Sequence, residues 1–335
     1  MDNLPMGLSY AGKNILVTGA GGFIGGWLVR DLLDMQPGLL RAVDIKPLED
    51  WHQVLPGVEN LKLDLRDSNA CKEALRNVDL VFNLAADMGG MGFIEANKAR
   101  CMISVLINSN LLFHGLESNV SRFFFSSSAC VYNQEVQKFS GHYGLKEEDA
   151  YPADPEDGYG WEKLFSERMC RHFSEDFGLA TRIARFHNVY GPHGTFEGGR
   201  EKAPAAICRK IAMAEIDKSG EIEVWGDGTQ IRSYMFISDC LKGIHKIMQG
   251  ESSDPVNLGS SESVTVNQLV KIVSEIAGLE INKRYVTDAP KGVSGRNSDN
   301  SKIKEIYGWE PEVSLRDGLS QTYSWIYREL LRRKL

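Results

Sequence analysis

The stretch NILVTGAGGFIGGWLVRDLLDMQPGLLRAVD, Asn14 to Asp44, decides the fold. Asn14–Thr18 is a short apolar strand. Gly19, Gly22 and Gly25 follow as a GxxGxxG run, and residues 22–35 carry apolar side chains at helical spacing. Leu39–Asp44 is a second strand. In such a strand–turn–helix unit the first glycine permits a tight turn and the second lets the backbone approach a pyrophosphate. The third lets helix and strand pack closely, and the helix N-terminus faces the anion. Asp44 ends the second strand about 20 residues past the glycines, where a carboxylate accepts from a ribose 2′-OH. It would repel a 2′-phosphate, so the reading favours NAD over NADP, although Lys46 lies close by. The competing reading of Asp44 is a solvated strand-end acid.

Outward from this unit, strand and helix patterns keep alternating. Leu61–Leu63 is a short strand and Ser68–Leu75 a helix. Asp79–Ala85 is a buried strand, Phe93–Glu117 one long helix, and Arg122–Ser127 a strand. Asp157–Phe177 is helical and Ala180–Phe186 a further strand. Alternation of this kind predicts an α/β fold, a doubly wound, Rossmann-like parallel sheet covered on both faces. From Tyr190 to Pro204 the chain is loop-like, and shorter elements follow. These include a helix over Thr265–Ala277 and a last helix capped by Ser314. The expected division is a cofactor domain over residues 1–187 and a smaller α+β substrate-binding lobe over 188–335. Residues 233–259 or so are expected to return to the first domain.

The 335 residues carry a formal net charge of −7, so a general nucleic-acid surface is not expected. No apolar run suits a membrane span. The six cysteines are scattered without a CxxC pair or metal-ligand spacing. Free thiols, no metal and a cytoplasmic location are the expectations.

Tyr159 and Lys163 stand four residues apart on a predicted helix and so share a face. An ordinary tyrosine, at about 10, is too weak a base for neutral pH. An adjacent ammonium and a positive nicotinamide would lower it, so that Tyr159 takes a proton from a substrate hydroxyl. Ser127 or Ser128 would hold that oxygen. The competing reading is a surface pair. From the residues alone, Cys130 reads as a small buried hydrophobe and Lys202 as a solvated surface lysine.

Four elements occur in the order of the extended short-chain dehydrogenases: the glycine run, Asn83–Ala86, Ser126–Ser128 and the Tyr159/Lys163 pair. Asp64, Leu65 and Ala85 follow predicted strands and, with Phe23 and Ile24, complete the expected cofactor set. Asp64 is expected near the adenine amine. More specific stretches resemble the GDP-mannose 3,5-epimerase family over nearly the whole chain. They are AADMGGMGFI (Ala85–Ile94), SSSACVY (Ser126–Tyr132), RFHNVYGP (Arg185–Pro192), GGREKAP (Gly198–Pro204), WGDG (Trp225–Gly228) and GRNSDN (Gly295–Asn300).

The resemblance implies that Tyr159 and Lys163 run a transient oxidation at the sugar C4. It implies that Cys130 and Lys202 are an acid/base pair inverting C5 and C3, both tuned towards neutrality. It implies a nucleotide-diphosphate sugar held by Gly92, Ser128, Cys130, Asn188, Glu201, Lys202, Ala203, Lys210, Gln230, Arg232 and Arg296, and a homodimer. Arginines suit the diphosphate because their planar fork donates two bonds. The chain departs from the family at Asn133, where a proline is usual, and at Val293-Ser294, where an arginine is lost. A small length change falls in Thr287–Gly292. Two other functions remain open. A UDP-sugar 4-epimerase would need Tyr159 and Lys163 but not Cys130 and Lys202. A non-catalytic NAD-sensing regulator on the same fold would usually lose the Tyr159/Lys163 pair, which is intact here.

Overall fold

A computed structural model describes residues 8–139, 144–286 and 295–334. The Thr287–Gly292 length change and the Val293-Ser294 departure lie outside the described residues. The first half runs β1 (Asn14–Thr18), α1 (Phe23–Leu33), β2 (Leu39–Asp44), β3 (Glu59–Lys62), α2 (Ser68–Ala74) and β4 (Leu80–Asn83). It continues through α3 (Met91–Ala96), α4 (Lys98–Met102), α5 (Val105–Glu117), β5 (Arg122–Ser128), α6 (Gln134–Phe139), α7 (Tyr159–Phe177) and β6 (Ala180–Phe186). The second half runs β7 (Asn188–Tyr190), α8 (Ala203–Asp217), β8 (Glu221–Trp225), β9 (Ile231–Phe236), α9 (Ile237–Gln249) and β10 (Val256–Leu258). Then come β11 (Ser263–Thr265), α10 (Val266–Ala277), β12 (Asn282–Val286), β13 (Gly295–Arg296), α11 (Ser301–Tyr307) and α12 (Leu315–Lys334).

The main sheet has seven strands in the order β10-β6-β5-β4-β1-β2-β3, all parallel. Its central strands are apolar on both faces because helices cover both. Ile15, Leu16 and Val17 on β1, Val81 and Phe82 on β4, and Phe123 and Phe124 on β5 are fully buried. Each such side chain contributes about 2 kcal/mol of burial free energy. From β1 the chain winds to β2 and β3 on one side and to β4, β5 and β6 on the other. The switch point therefore lies between β1 and β4, and ligands of such sheets bind above it.

After β6 the chain leaves the sheet and returns once, through α9 and β10, which pairs with β6. The remaining strands form two small sheets. In one, β9 is flanked by β7 and β13 in parallel and by β11 antiparallel. In the other, β8 pairs with β12. The helix α10 starts with a capping box: Gln268 N donates to Thr265 Oγ1 at 3.1 Å and Thr265 N to Gln268 Oε1 at 2.7 Å. Ser314 Oγ accepts from Asp317 N at 3.2 Å before α12.

The single helix expected over Phe93–Glu117 is three helices. At Asn97 the backbone turns out of helical geometry, φ −131° and ψ 39°, and its side chain donates to Phe93 O at 2.9 Å. An amide side chain competing for backbone partners in this way ends a helix that apolar spacing alone would continue. The expected loop also stops two residues earlier than its assigned end, because α8 begins at Ala203 and Pro204 sits in its first turn, where its missing N–H costs nothing.

Candidate active site

The glycine turn is built for close approach. Gly19 has φ +67°, and a Cβ there would meet Leu84 O at 2.8 Å. A Cβ on Gly25 would collide with the Gly19 carbonyl, so α1 can lie against the turn only with glycine at this position. The helix α1 starts after Gly22 with no side-chain cap and no acidic residue in its first turn, and Phe23 and Ile24 lie in that turn, half-buried. This is a fitting cradle for a pyrophosphate. Asp44 is buried at the end of β2. Its Oδ2 accepts from Gly21 N and its Oδ1 from Lys46 N, both at 3.0 Å, which ties the carboxylate to the turn. Ala85 follows β4, and its N donates to Thr18 Oγ1 at 3.2 Å. Leu65 is buried beyond β3, whereas Asp64 is on the surface, held by Arg66 at 2.6 Å.

Tyr159 opens α7 and Lys163 follows one turn later, and both are buried. Lys163 Nζ lies 5.6 Å from the Tyr159 ring centroid and 4.7 Å from that of Phe125. Burial pushes the Tyr159 phenol well up, and Cys130 and Glu162 add to this; Ser128 opposes it with a hydrogen bond. The expected lowering is thus not a property of the protein alone, because desolvation outweighs the Ser128 hydrogen bond.

The serines of β5 separate by strand alternation. Ser128 Oγ accepts from Cys130 N at 3.2 Å and reaches Tyr159. Ser127 donates to Glu167, which binds Arg185 through Nε at 2.9 Å and Nη2 at 2.8 Å. Of the two expected serines, Ser128 alone faces the tyrosine.

Cys130 follows β5 in a short 3-10 turn. The helix α7 comes so close that a side chain on Gly160 would collide with the Cys130 carbonyl, which is what brings Cys130 to Tyr159. The thiol is buried and pushed up to about 11, by burial first and then by Glu156; Arg296, with Nη1 3.6 Å from Sγ, opposes this. That differs from the expected tuning towards neutrality. Lys202 caps the start of α8, and its Nζ donates to Asn188 Oδ1 at 3.3 Å. Burial lowers its ammonium, and Cys130 is the largest opposing influence. Lys202 and Cys130 come from different halves of the chain and interact across one site.

The other expected substrate residues surround this centre unevenly. Arg232 lies on β9 and Arg296 on the paired β13. Arg296 is buried, with Nε and Nη2 on Gln137 Oε1 at 2.9 and 2.8 Å and an ion pair to Glu156. Its fork is therefore occupied from within the protein. Gln230 is half-buried, with Oε1 buried and unpartnered among the described residues. Lys210 on α8 donates to Glu223 O at 2.7 Å. Glu201 accepts from Gly199 N at 2.7 Å and Arg209 Nη2 at 3.4 Å, Ala203 opens α8, and Gly92 is exposed on α3.

Sequence reasoning missed Glu156 and Gln137. Glu156 stands three residues before Tyr159, in DPEDGYG, and the signal available was a carboxylate at the mouth of the helix that carries the tyrosine. Among the described residues no cluster of His, Cys, Asp or Glu is arranged to hold a metal ion. No helix among them is long and apolar enough to cross a membrane.

Residues 15–259 match the model of the NAD dependent epimerase/dehydratase family. The chain is 44% identical to GDP-mannose 3,5-epimerase 1 of Oryza sativa subsp. indica over 96% of its length and 83% of the relative's. It is 43% identical to GDP-mannose 3,5-epimerase of Arabidopsis thaliana, over 96% and 84%. Among solved structures it is similar to the UDP-glucose 4-epimerase of Thermotoga maritima with UDP-glucose, at TM-score 0.82 and 25% identity over 95% and 99% of the two chains. It is also similar to MoeE5 in complex with UDP-glucose and NAD, at TM-score 0.78 and 27% identity over 95% and 99%. With the glycine cradle, Asp44 and the Tyr159/Lys163 pair in place, the chain belongs to the NAD dependent epimerase/dehydratase family and, within it, to the GDP-mannose 3,5-epimerases.

Proposed function

We propose that the protein is a GDP-mannose 3,5-epimerase whose acid/base pair is Cys130 and Lys202. The observation that carries this reading is their meeting in one site beside Tyr159, which a C4-only enzyme does not need. NAD, cradled by Gly19, Gly22, Gly25 and Asp44, supplies a reversible hydride acceptor for C4 and is not consumed. Tyr159 takes the C4 hydroxyl proton, Ser128 holds the hydroxyl oxygen, and Lys163 steadies the tyrosine's charge. With a carbonyl at C4, the hydrogens on C3 and C5 become acidic. One member of the Cys130/Lys202 pair takes such a proton, and the other protonates the opposite ring face. Asn188 aims Lys202 for this. Arg232 and Lys210 supply positive charge for the diphosphate.

Two further readings belong to the proposal. All six cysteines are unpaired, which supports a reducing compartment such as the cytoplasm. Leu106 and Phe113 on α5, with Trp161 and Phe165 on the adjoining α7, are large apolar side chains left exposed. They support a homodimer formed through these two helices.

Incubation with GDP-mannose in deuterated water tests the reaction. The expected result is deuterium at C5 and C3, lost in Cys130→Ala. Full exchange in that variant removes Cys130 from the pair. No exchange at either carbon, with C4 inverted instead, establishes the 4-epimerase reading.

A further inference from the structure

A cofactor that is not consumed must return to its starting state in every turnover. Oxidation sends a hydride from the sugar C4 to NAD and the hydroxyl proton to Tyr159, and that hydride has to go back to the same sugar. A ketosugar that leaves early strands the hydride on the cofactor, so the site needs a closure that outlasts the epimerisation. A contact around Arg200 spans the site in this way. Arg200 stands two residues before Lys202, while Asp87 and Phe93 lie in the segment that follows β4. The Arg200 guanidinium stacks over the Phe93 ring, 3.8 Å from its centroid. Its Nη1 donates to Asp87 Oδ1 at 3.2 Å and to Met88 O at 3.3 Å. Both side chains press on Gly89, where a Cβ would come within 2.9 Å of Phe93 Cβ and 3.2 Å of Arg200 Cγ. Asp87 is held on its own side by Arg100 and by its backbone N, which donates to Ser104 Oγ at 3.1 Å.

We propose that Arg200 is a positioning residue that clasps the site shut: stacked on Phe93 and paired with Asp87, it retains the 4-keto sugar until C4 is reduced again. This rests on the reading of the chain as a GDP-mannose 3,5-epimerase. The clasp is built to release. Gly198 and Gly199 precede Arg200 with φ +87° and +82°, and a Cβ on either would meet nothing within 4 Å, so the segment has room to swing about them. Lys202 stands at the start of α8 and need not move with Arg200. Arg200 and Asp87 are both partly exposed, and an ion pair in that setting is weak. The stacked guanidinium adds to it modestly. A closure of this strength suits a contact that opens once per turnover.

Hydrogen exchange of the NAD-bound enzyme without sugar reads the clasp itself. In Phe93→Leu, which keeps an apolar side chain but offers no ring face, the peptide over residues 198–202 should exchange faster than in wild type. An unchanged rate overturns the clasp, whatever the substrate. Retention is read by absorbance at 340 nm after GDP-mannose is added. In Arg200→Ala reduced cofactor should accumulate at least about tenfold faster than in wild type, the change that follows from about 1.4 kcal/mol lost by the closed state. Ketosugar should appear in the filtrate, identified by borodeuteride reduction and mass spectrometry. Arg200→Lys keeps the charge but not the planar fork and should fall between the two. Joining Arg200→Ala to Phe93→Leu should add little, since each removes the same stack. A wild-type trace in Arg200→Ala, or losses that add in the double variant, overturns the proposal. So does a fall in kcat with no ketosugar released, which leaves Arg200 a structural place only. Should Arg200→Ala fail to fold, Arg200→Lys and Phe93→Leu carry the same measurement. Deuterium absent from C5 in the wild type defeats the substrate reading. Deuterium present at C5, with the trace unchanged in Arg200→Ala, defeats the clasp alone.

Discussion

Ser127 and Ser128 are adjacent in the chain, yet their hydroxyls serve opposite faces of β5. Ser127 donates to Glu167 inside the buried Arg185 pair, and Ser128 lies with Cys130 and Tyr159. Strand geometry alone enforces the split, because successive side chains alternate. The two alanine variants should therefore fail differently. Ser128→Ala should lower kcat on the order of 100-fold with stability nearly unchanged, as removal of a proton-handling partner does. Ser127→Ala should leave kcat close to wild type and cost about 1–3 kcal/mol, the penalty for an unsatisfied buried acceptor. Steady-state kinetics and urea unfolding separate them; equal kinetic losses in both would refute the assignment.

The second prediction concerns the cradle. In Gly25→Ala the added methyl collides with the Gly19 carbonyl, so the turn must open and α1 must shift. Co-purified NAD should be lost while the far-ultraviolet circular dichroism stays that of a folded α/β protein. Retention of stoichiometric NAD in this variant would show that the turn does not hold the pyrophosphate closely.

Stability should depend on pH through His187, which burial holds neutral and pushes down to about 4. It is buried, with Nε2 3.0 Å from Asn257 Oδ1. Between pH 6.5 and about 4 the unfolded chain binds a proton at this residue that the folded chain does not. Stability therefore falls as the pH drops through that window, by up to about 3 kcal/mol from this group. Half-buried Glu147 and buried Glu162, both pushed up by burial, act in the opposite direction, so the comparison must be with a variant. Urea midpoints of wild type and His187→Gln at pH 7, 6 and 5 should converge as the pH falls. Parallel curves would mean that His187 takes up its proton equally in the folded and the unfolded chain.

The dimer surface gives the fourth prediction. Phe113 is 54% and Phe165 55% exposed, on the helices α5 and α7, which pack against each other. If the proposed dimer forms there, wild type should sediment as a dimer and Phe165→Glu as a folded monomer. A wild-type monomer at micromolar concentration would dispose of the interface.

Much of the fold was legible in the sequence because it is written in local terms. The glycine run marks the turn from β1 to α1, apolar runs mark strands buried on both faces, and spacing of four puts Tyr159 and Lys163 on one turn of a helix. Asn97 was not legible as a break, since a polar residue on a helical pattern reads as a solvent-facing position until its side chain is seen to bond Phe93 O.

The sequence by itself determined the parallel sheet, the dinucleotide cradle and the chemical types present at the site. Each of these depends on residues within a turn or two of one another. Only the tertiary structure decided which serine meets Tyr159, that Lys202 reaches Cys130 from the other half of the chain, and that Arg296 is held by Glu156 within the site. It also decided the direction in which the site's proton affinities move. Desolvation and charge act through space over a few ångströms, and residues 130, 156, 202 and 296 become neighbours only when β5, α7, α8 and β13 are packed together.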